Sequence, residues 1–278
     1  MNYLVIEEMI KNALIEDIPN EDITTNSIIN ENAKCSVDLI CKEDGIICGL
    51  KVFKRVFDIL EDVEVKLYKY DGNKIYKGEK IATIIGNTRN ILKGERVALN
   101  YLQRMSGIST KTNMFVQKLV NSKSKLLDTR KTMPNNRILD KYAVKIGGGY
   151  NHRFNLSDGI LLKDNHIKAA GGVKRAVELA RENTSFVRKI EVEVEDLDMV
   201  KEAVKAGCDI IMLDNMDLEM AKSALEIIDK KAIVEFSGNV SLDNIEDIGK
   251  LGVDFISVGE LTHSVKALDL SMKNLINL

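Results

Sequence analysis

The chain has 278 residues, enough for one large α/β domain or two domains, and its 45% hydrophobic and 29% charged residues exclude a disordered or fibrous protein. A formal net charge of −2 excludes a globally basic nucleic-acid binder, so any positive cluster is a local feature on a mildly acidic background. Cys35, Cys41, Cys48 and Cys208 have neither CxxC spacing nor a nearby histidine, which argues against a zinc site or a disulfide framework.

The first residues, MNYLVIEEMIKNALIED, lack a basic leader region and a cleavage site, and no apolar run reaches membrane-spanning length. A cytoplasmic protein without membrane contact is expected. Leu4, Val5, Met9, Ile10, Ala13 and Leu14 recur at helical spacing and predict a helix over 3–17, stopped by Pro19. Alternation predicts strands over 33–41 and 63–70, with a helix over 50–60 between them. Asp71-Gly72-Asn73 reads as a hairpin turn leading to a strand over 81–85. Residues 93–120 predict a long helix, broken or loosened at Ser106-Gly107, with Arg96 and Arg104 as surface residues on it.

The second half changes rhythm. Strand-like runs at 126–128, 159–164, 189–194, 209–214, 232–237 and 254–259 alternate with helical segments, the signature of βα units on a parallel sheet. Six such units are visible where a closed (β/α)8 barrel needs eight, so a shorter or open barrel is expected.

In such a fold the C-terminal strand ends carry the chemistry. Around the first of them, Arg130, Lys131, His152, Arg153 and Lys163 surround the run Gly147 to Gly149, a combination that suits an anion. In KIEVEV, Glu191, Glu193 and Glu195 share one face and the valines the other, so the glutamates point inward if the valines meet helices. An inward carboxylate needs a partner or a cation, and Glu193 with Asp214 fits a divalent cation. Ser237-Gly238-Asn239 and Gly259 follow strands and offer backbone amides for a phosphate. His166 is read as ordering the start of a helix, and His263 as either a rim residue or a turn cap. No Walker loop, dinucleotide fingerprint or Ser-His-Asp arrangement is present, so chemistry without a protein nucleophile is implied.

The segments ERVALNYLQRMSGIST, LDTRKTMPNNRILDKYAVKIGGGYNHRFNLSDGILLKDNHI, EVEVE, GCDIIMLDN and SVGELTHS, with EDIPNEDITT near the start, resemble quinolinate phosphoribosyltransferase, also called carboxylating nicotinate-nucleotide pyrophosphorylase. The resemblance implies conversion of quinolinate and phosphoribosyl pyrophosphate (PRPP) to nicotinate mononucleotide, pyrophosphate and CO₂ with Mg²⁺, in NAD biosynthesis. It implies an N-terminal mixed α+β domain over 1–112, to which 266–278 return, and an incomplete α/β barrel of six or seven strands over 113–265. It implies a homodimer whose site is completed by the partner, with a hexamer left open. Carried over by position, quinolinate is expected on Arg130, His152 and Arg153 with Arg96 donated across the interface. Lys131 and Lys163 are expected to line the quinolinate and PRPP sites, Glu193 and Asp214 to serve Mg²⁺ and the ribose, and Ser237, Gly238, Asn239 and Gly259 to hold the 5′-phosphate. Two positions depart from the family pattern: Asn135 follows Pro134 where glycine is usual, and Asn239 replaces the second glycine of SGG. A phosphoribosyltransferase acting on another acid and an idle phosphate-binding regulator are the competing readings.

Overall fold

The computed structural model describes residues 2–278 and resolves two units, one of 2–113 with Pro134–Gly148 and Ser264–Leu278, the other of Met114–Met133 with Gly149–His263. In chain order the first unit supplies helices α1 (Tyr3–Asp17) and α2 (Ile23–Ile28), strands β1 (Lys34–Cys41) and β2 (Gly45–Ile46), and helix α3 (Leu50–Leu60). Strands β3 (Val63–Leu67), β4 (Lys74–Ile75) and β5 (Lys80–Asn87) then lead into helix α4 (Thr88–Lys118), whose last residues belong to the second unit.

Next come strand β6 (Lys125–Leu127) and helix α5 (Arg137–Ile146), the latter part of the first unit. The second unit continues through β7 (Ile160–Leu162), α6 (Asp164–Ala170), α7 (Val173–Glu182), β8 (Ile190–Val194), α8 (Leu197–Ala206), β9 (Ile210–Asp214), α9 (Leu218–Ile228), β10 (Ile233–Ser237), α10 (Ile245–Lys250), β11 (Phe255–Ser257) and α11 (Glu260–His263). The closing strand, β12 (Leu270–Asn277), returns to the first unit.

The first unit is built on an antiparallel sheet of order β12-β1-β5-β3. Along β1 the side chains of Cys35, Val37, Leu39 and Cys41 are buried and alternate with more exposed positions, as a half-buried strand requires. Helix α1 buries Ile6, Ile10 and Leu14, and α3 buries Val52, Phe53, Val56 and Phe57, the two rings meeting edge to face at 5.2 Å. All four cysteines are buried and unpaired.

Three local expectations are corrected here. Helix α4 is unbroken at Ser106-Gly107. Ser106 Oγ donates to Cys48 O and accepts from Cys48 N, and a Cβ on Gly107 would fall 2.1 Å from Lys266 O. These small residues therefore permit close approach instead of loosening the helix. Asp71-Gly72-Asn73 does form a turn, Asn73 N donating to Tyr70 O at 3.0 Å, but it is only part of the connection between the antiparallel β3 and β5 and leads first into the short β4; Asp71 Oδ1 also accepts from Gly49 N and Leu50 N and so caps the start of α3. Nor does Arg104 lie loose on the surface, because its Nε and Nη2 bind both oxygens of Asp140, at 3.0 and 2.7 Å, and Asp140 is fully buried.

In the second unit six parallel strands lie in the order β6-β11-β10-β9-β8-β7. Among the described residues β6 and β7 are not paired with each other, so the barrel stays open, with only a parallel bridge between Tyr150 and Leu127 beyond β6. Val192 and Val194 are fully buried, which turns Glu191 and Glu193 of β8 to the opposite side. No helix among the described residues is long and apolar enough to cross a membrane.

Candidate active site

The strand ends of the second unit enclose a cavity of about 680 Å³. Arg130, Lys131, His152, Arg153, Lys163, Glu193, Asp214, Ser237, Gly238, Asn239 and Gly259 all line it, so the predicted second-unit residues converge. Arg96 is exposed on α4 in the first unit. Glu195, at the end of β8, is exposed and does not line this cavity.

The basic wall is built from the segment after β6. Asp128, fully buried at the strand end, accepts from Asn151 Nδ2 at 2.6 Å and from His152 N at 2.9 Å. One buried carboxylate thus fixes the chain that carries His152 and Arg153. Arg153 is held at its far end as well, where Nη1 donates to Gly159 O at 3.0 Å. Burial, and then the neighbouring Arg130 charge, work against the Arg153 guanidinium, with Glu191 and Glu193 opposing them. Two arginines facing one cavity in this way favour an anion between them.

Lys163 caps the start of α6: its backbone N–H donates to His166 Nδ1 at 3.0 Å. His166 therefore orders the helix start, while the Lys163 ammonium forms an ion pair with Glu193. Opposite, Asp214 Oδ2 accepts from Asn215 Nδ2 at 2.7 Å. Glu193 and Asp214 are hard oxygen donors on one cavity, a set that suits Mg²⁺ bound through one or two carboxylates plus substrate phosphates.

The turn after β10 is shaped by left-handed residues, Gly238 at φ 91° and Asn239 at φ 50°. A Cβ on Gly238 would lie 2.3 Å from Asn215 Oδ1, so glycine is needed there for space as well as conformation. Asn239 adopts the left-handed region that asparagine tolerates, which is how a non-glycine fits this turn. Gly259 packs against the Lys131 stem and the His263 ring, and His263 lines the cavity.

Sequence reasoning placed Glu191 on the inward face of its strand but missed Glu235, which lines the cavity. Glu235 of β10 is 2% exposed and Glu191 of β8 is 4% exposed, and both approach His152 Nε2, at 3.5 and 3.1 Å respectively. Ser257 of β11 hydrogen-bonds Glu235 Oε1. Burial, and then the Glu191 charge, push Glu235 up to about 8. The signal was available: Val234 and Phe236 are the apolar partners of an alternation that leaves Glu235 on the other face of its strand.

Residues 108–273 match the family "Quinolinate phosphoribosyl transferase, C-terminal domain", and residues 22–106 match its N-terminal domain. The chain is 42% identical over 273 residues to a probable carboxylating nicotinate-nucleotide pyrophosphorylase of Bacillus subtilis, covering 98% of this chain and 94% of that protein. It is 45% identical over 276 residues to a protein of the same description from Methanocaldococcus jannaschii, covering 95% of each. The crystal structure of NadC from Streptococcus pyogenes superposes with a TM-score of 0.97 at 46% identity, covering 100% of this chain and 99% of that one. With both family domains in order and relatives matched along nearly their whole length, the chain belongs to the quinolinate phosphoribosyl transferase family.

Proposed function

We propose that this chain is a carboxylating nicotinate-nucleotide pyrophosphorylase: it transfers the phosphoribosyl group of PRPP to quinolinate and releases pyrophosphate and CO₂, giving nicotinate mononucleotide for NAD biosynthesis. The observation that carries the reading is the meeting of Arg130, Arg153, Lys131 and Lys163 with Glu193 and Asp214 in one cavity, in a chain of this family. A doubly charged aromatic acid and a sugar diphosphate need those two kinds of group side by side.

Arg130 and Arg153 clasp the quinolinate carboxylates and aim the ring nitrogen, which is the nucleophile, at the anomeric carbon. Breaking the bond to pyrophosphate leaves positive character on the ribose, which Glu193 and Asp214 stabilise, and negative charge on the leaving group, which Lys131 and Lys163 take up. Glu193 and Asp214 would also hold Mg²⁺, which when bound neutralises diphosphate charge. Ser237, Gly238, Asn239 and Gly259 receive the 5′-phosphate. Once the nitrogen is bonded to the sugar it is cationic and accepts the electron pair of the departing 2-carboxylate; CO₂ leaves and a proton takes its place on the ring carbon. His152 is read with the acid-binding group.

Arg96, exposed on α4, is proposed to reach the cavity of a second copy in a homodimer. Buried, unpaired thiols support a reducing, cytoplasmic setting. The direct test is release of labelled CO₂ from carboxyl-labelled quinolinate on addition of PRPP and Mg²⁺. Turnover of nicotinate, or of another pyridine acid, in place of quinolinate would replace this reading with that of a different phosphoribosyltransferase.

A further inference from the structure

Arg130 and Arg153 line one cavity, and the Arg130 charge works against that of Arg153. Like charges favour splaying, so the separation of the two guanidiniums is set by the restraint on the backbone segments that carry them. Segment 150–153 runs beside the end of β6 as a short parallel partner: Tyr150 N donates to Leu126 O at 2.8 Å, and Asp128 N donates to Tyr150 O at 3.1 Å. Asp128 then extends this ladder with its side chain. Its Oδ1 accepts from His152 N at 2.9 Å and its Oδ2 from Asn151 Nδ2 at 2.6 Å. In the other direction the turn carrying Arg130 is closed by Lys131 N, which donates to Thr129 Oγ1 at 3.0 Å, and the Lys131 carbonyl accepts from Thr262 Oγ1 at 2.9 Å.

Asp128 is fully buried, and neither it nor Asn151 lines the cavity, so both act only through other residues. Arg130 lies two residues beyond Asp128 along the chain, and Arg153 one residue beyond His152. An ordinary loop anchor would restrain one segment; this one restrains the two whose side chains must act as a pair. Carboxylates on neighbouring ring atoms stand closer together than carboxylates in a 1,3 relation. Two guanidiniums held at one separation therefore discriminate between such isomers, and a displacement of about 1 Å is enough to cost about a hundredfold in a positioned contact.

We propose that Asp128, tied to Asn151 and His152, is a positioning residue that sets the spacing of Arg130 and Arg153 and so selects an aromatic acid with carboxylates on adjacent ring atoms. Its hold on the far segment passes through one backbone N–H and one side-chain amide, and its hold on the near one through the chain itself. Arg153 is steadied separately at its guanidinium by Gly159 O, which leaves Asp128 to place the base of that side chain.

The inference rests on Arg130 and Arg153 binding the pyridine diacid. Its test removes the restraint in steps and reads titration calorimetry with benzene-1,2-dicarboxylate and benzene-1,3-dicarboxylate, which lack the ring nitrogen and cannot react. Wild-type protein should bind the 1,2 isomer at least about tenfold more tightly than the 1,3 isomer. Asp128→Ala removes both side-chain bonds, so this ratio should fall to within about twofold of unity and the quinolinate KM should rise at least about tenfold, with the KM for PRPP within about twofold of wild type. Asn151→Ala removes one bond, and should lower the ratio and raise the quinolinate KM, each by about three- to fivefold. Asp128→Asn keeps an acceptor for His152 N, and Asn151 can turn its amide to meet the new one, so ratio and KM should return to within about twofold of wild type. An unchanged ratio in Asp128→Ala, equal rises in KM for both substrates, or an Asp128→Asn protein no better than Asp128→Ala overturns the proposal. If Asp128→Ala does not fold, an unchanged ratio and KM in Asn151→Ala overturns it instead. A wild-type protein that prefers neither isomer would remove the assignment of the diacid to Arg130 and Arg153, and this inference with it, whereas a wild-type preference that survives in the variants removes the role of Asp128 alone.

Discussion

The side-chain amide of Asn239 donates to Asn215 Oδ1 at 3.0 Å, and Asn215 Nδ2 passes the restraint to Asp214 Oδ2 at 2.7 Å. A residue that stands where the family pattern has glycine thereby connects the turn after β10 to an acid at the end of β9. Asn239→Gly keeps the left-handed turn and deletes only the amide, so folding stability should be unchanged within about 0.5 kcal/mol. KM for PRPP should rise about three- to tenfold as Asp214 gains rotamer freedom. An unchanged PRPP KM in steady-state kinetics would show that the amide chain only decorates the turn.

Arg130→Ala removes a forked donor from the acid-binding wall. Quinolinate affinity should fall about a hundredfold, corresponding to the loss of roughly 3 kcal/mol for charge-assisted hydrogen bonds, while PRPP binding stays near the wild-type value. Titration calorimetry with each ligand separately checks both halves, and equal losses for the two ligands would mean that Arg130 supports the whole cavity and not the acid site.

Glu193→Gln together with Asp214→Asn leaves volume unchanged and removes two negative charges from the site. Turnover should drop by at least about a thousandfold, with quinolinate binding retained, because the charges are needed at the ribose and for Mg²⁺. The change also releases Lys163 from its ion pair with Glu193. Near-normal initial rates over a range of Mg²⁺ concentrations would show that the acids only hold Lys163 and Asn215 in place.

Much of this arrangement was legible because it depends on short-range pattern. Alternation located β8 and turned Glu191 and Glu193 away from buried Val192 and Val194, and the same alternation set the buried side of β1. What could not be read was contact between distant segments. Ser106-Gly107 has the local look of a helix break, yet the bond to Cys48 and the approach of the Lys266 carbonyl keep α4 continuous, so packing overrides propensity. Glu235 escaped notice for a related reason. Its partner Glu191 becomes a neighbour only because β8 and β10 flank β9, an order that pairing decides and spacing does not.

Arg96 supplies a test of assembly. Mixing Arg96→Ala protomers with Lys163→Ala protomers allows a mixed dimer to form one site with neither substitution, so up to about a quarter of the wild-type activity should return, while each variant alone stays nearly inactive. Activity of the mixture no greater than the sum of the separate variants, with mixed dimers verified by mass spectrometry, would place Arg96 outside the partner's site.

Glu235 gives the last prediction, in stability and not in catalysis. In the folded protein its carboxyl is raised from an ordinary 4.5 to about 8, chiefly by burial and then by Glu191. Below pH 4.5 the group is protonated folded or unfolded and contributes no pH dependence. Between the two values the unfolded chain has lost a proton that the folded chain keeps, so unfolding releases a proton and stability falls as pH rises, by up to about 1.4 kcal/mol per unit. Above about 8 both forms are ionised and the decline levels off. Glu235→Gln cannot ionise and should lack this slope, so urea unfolding across the same window should show the variant gaining on the wild type as the pH increases. Parallel curves for the two proteins would mean that Glu235 is ionised in the folded state from acid pH upward, with its charge met by His152 or by the arginines above.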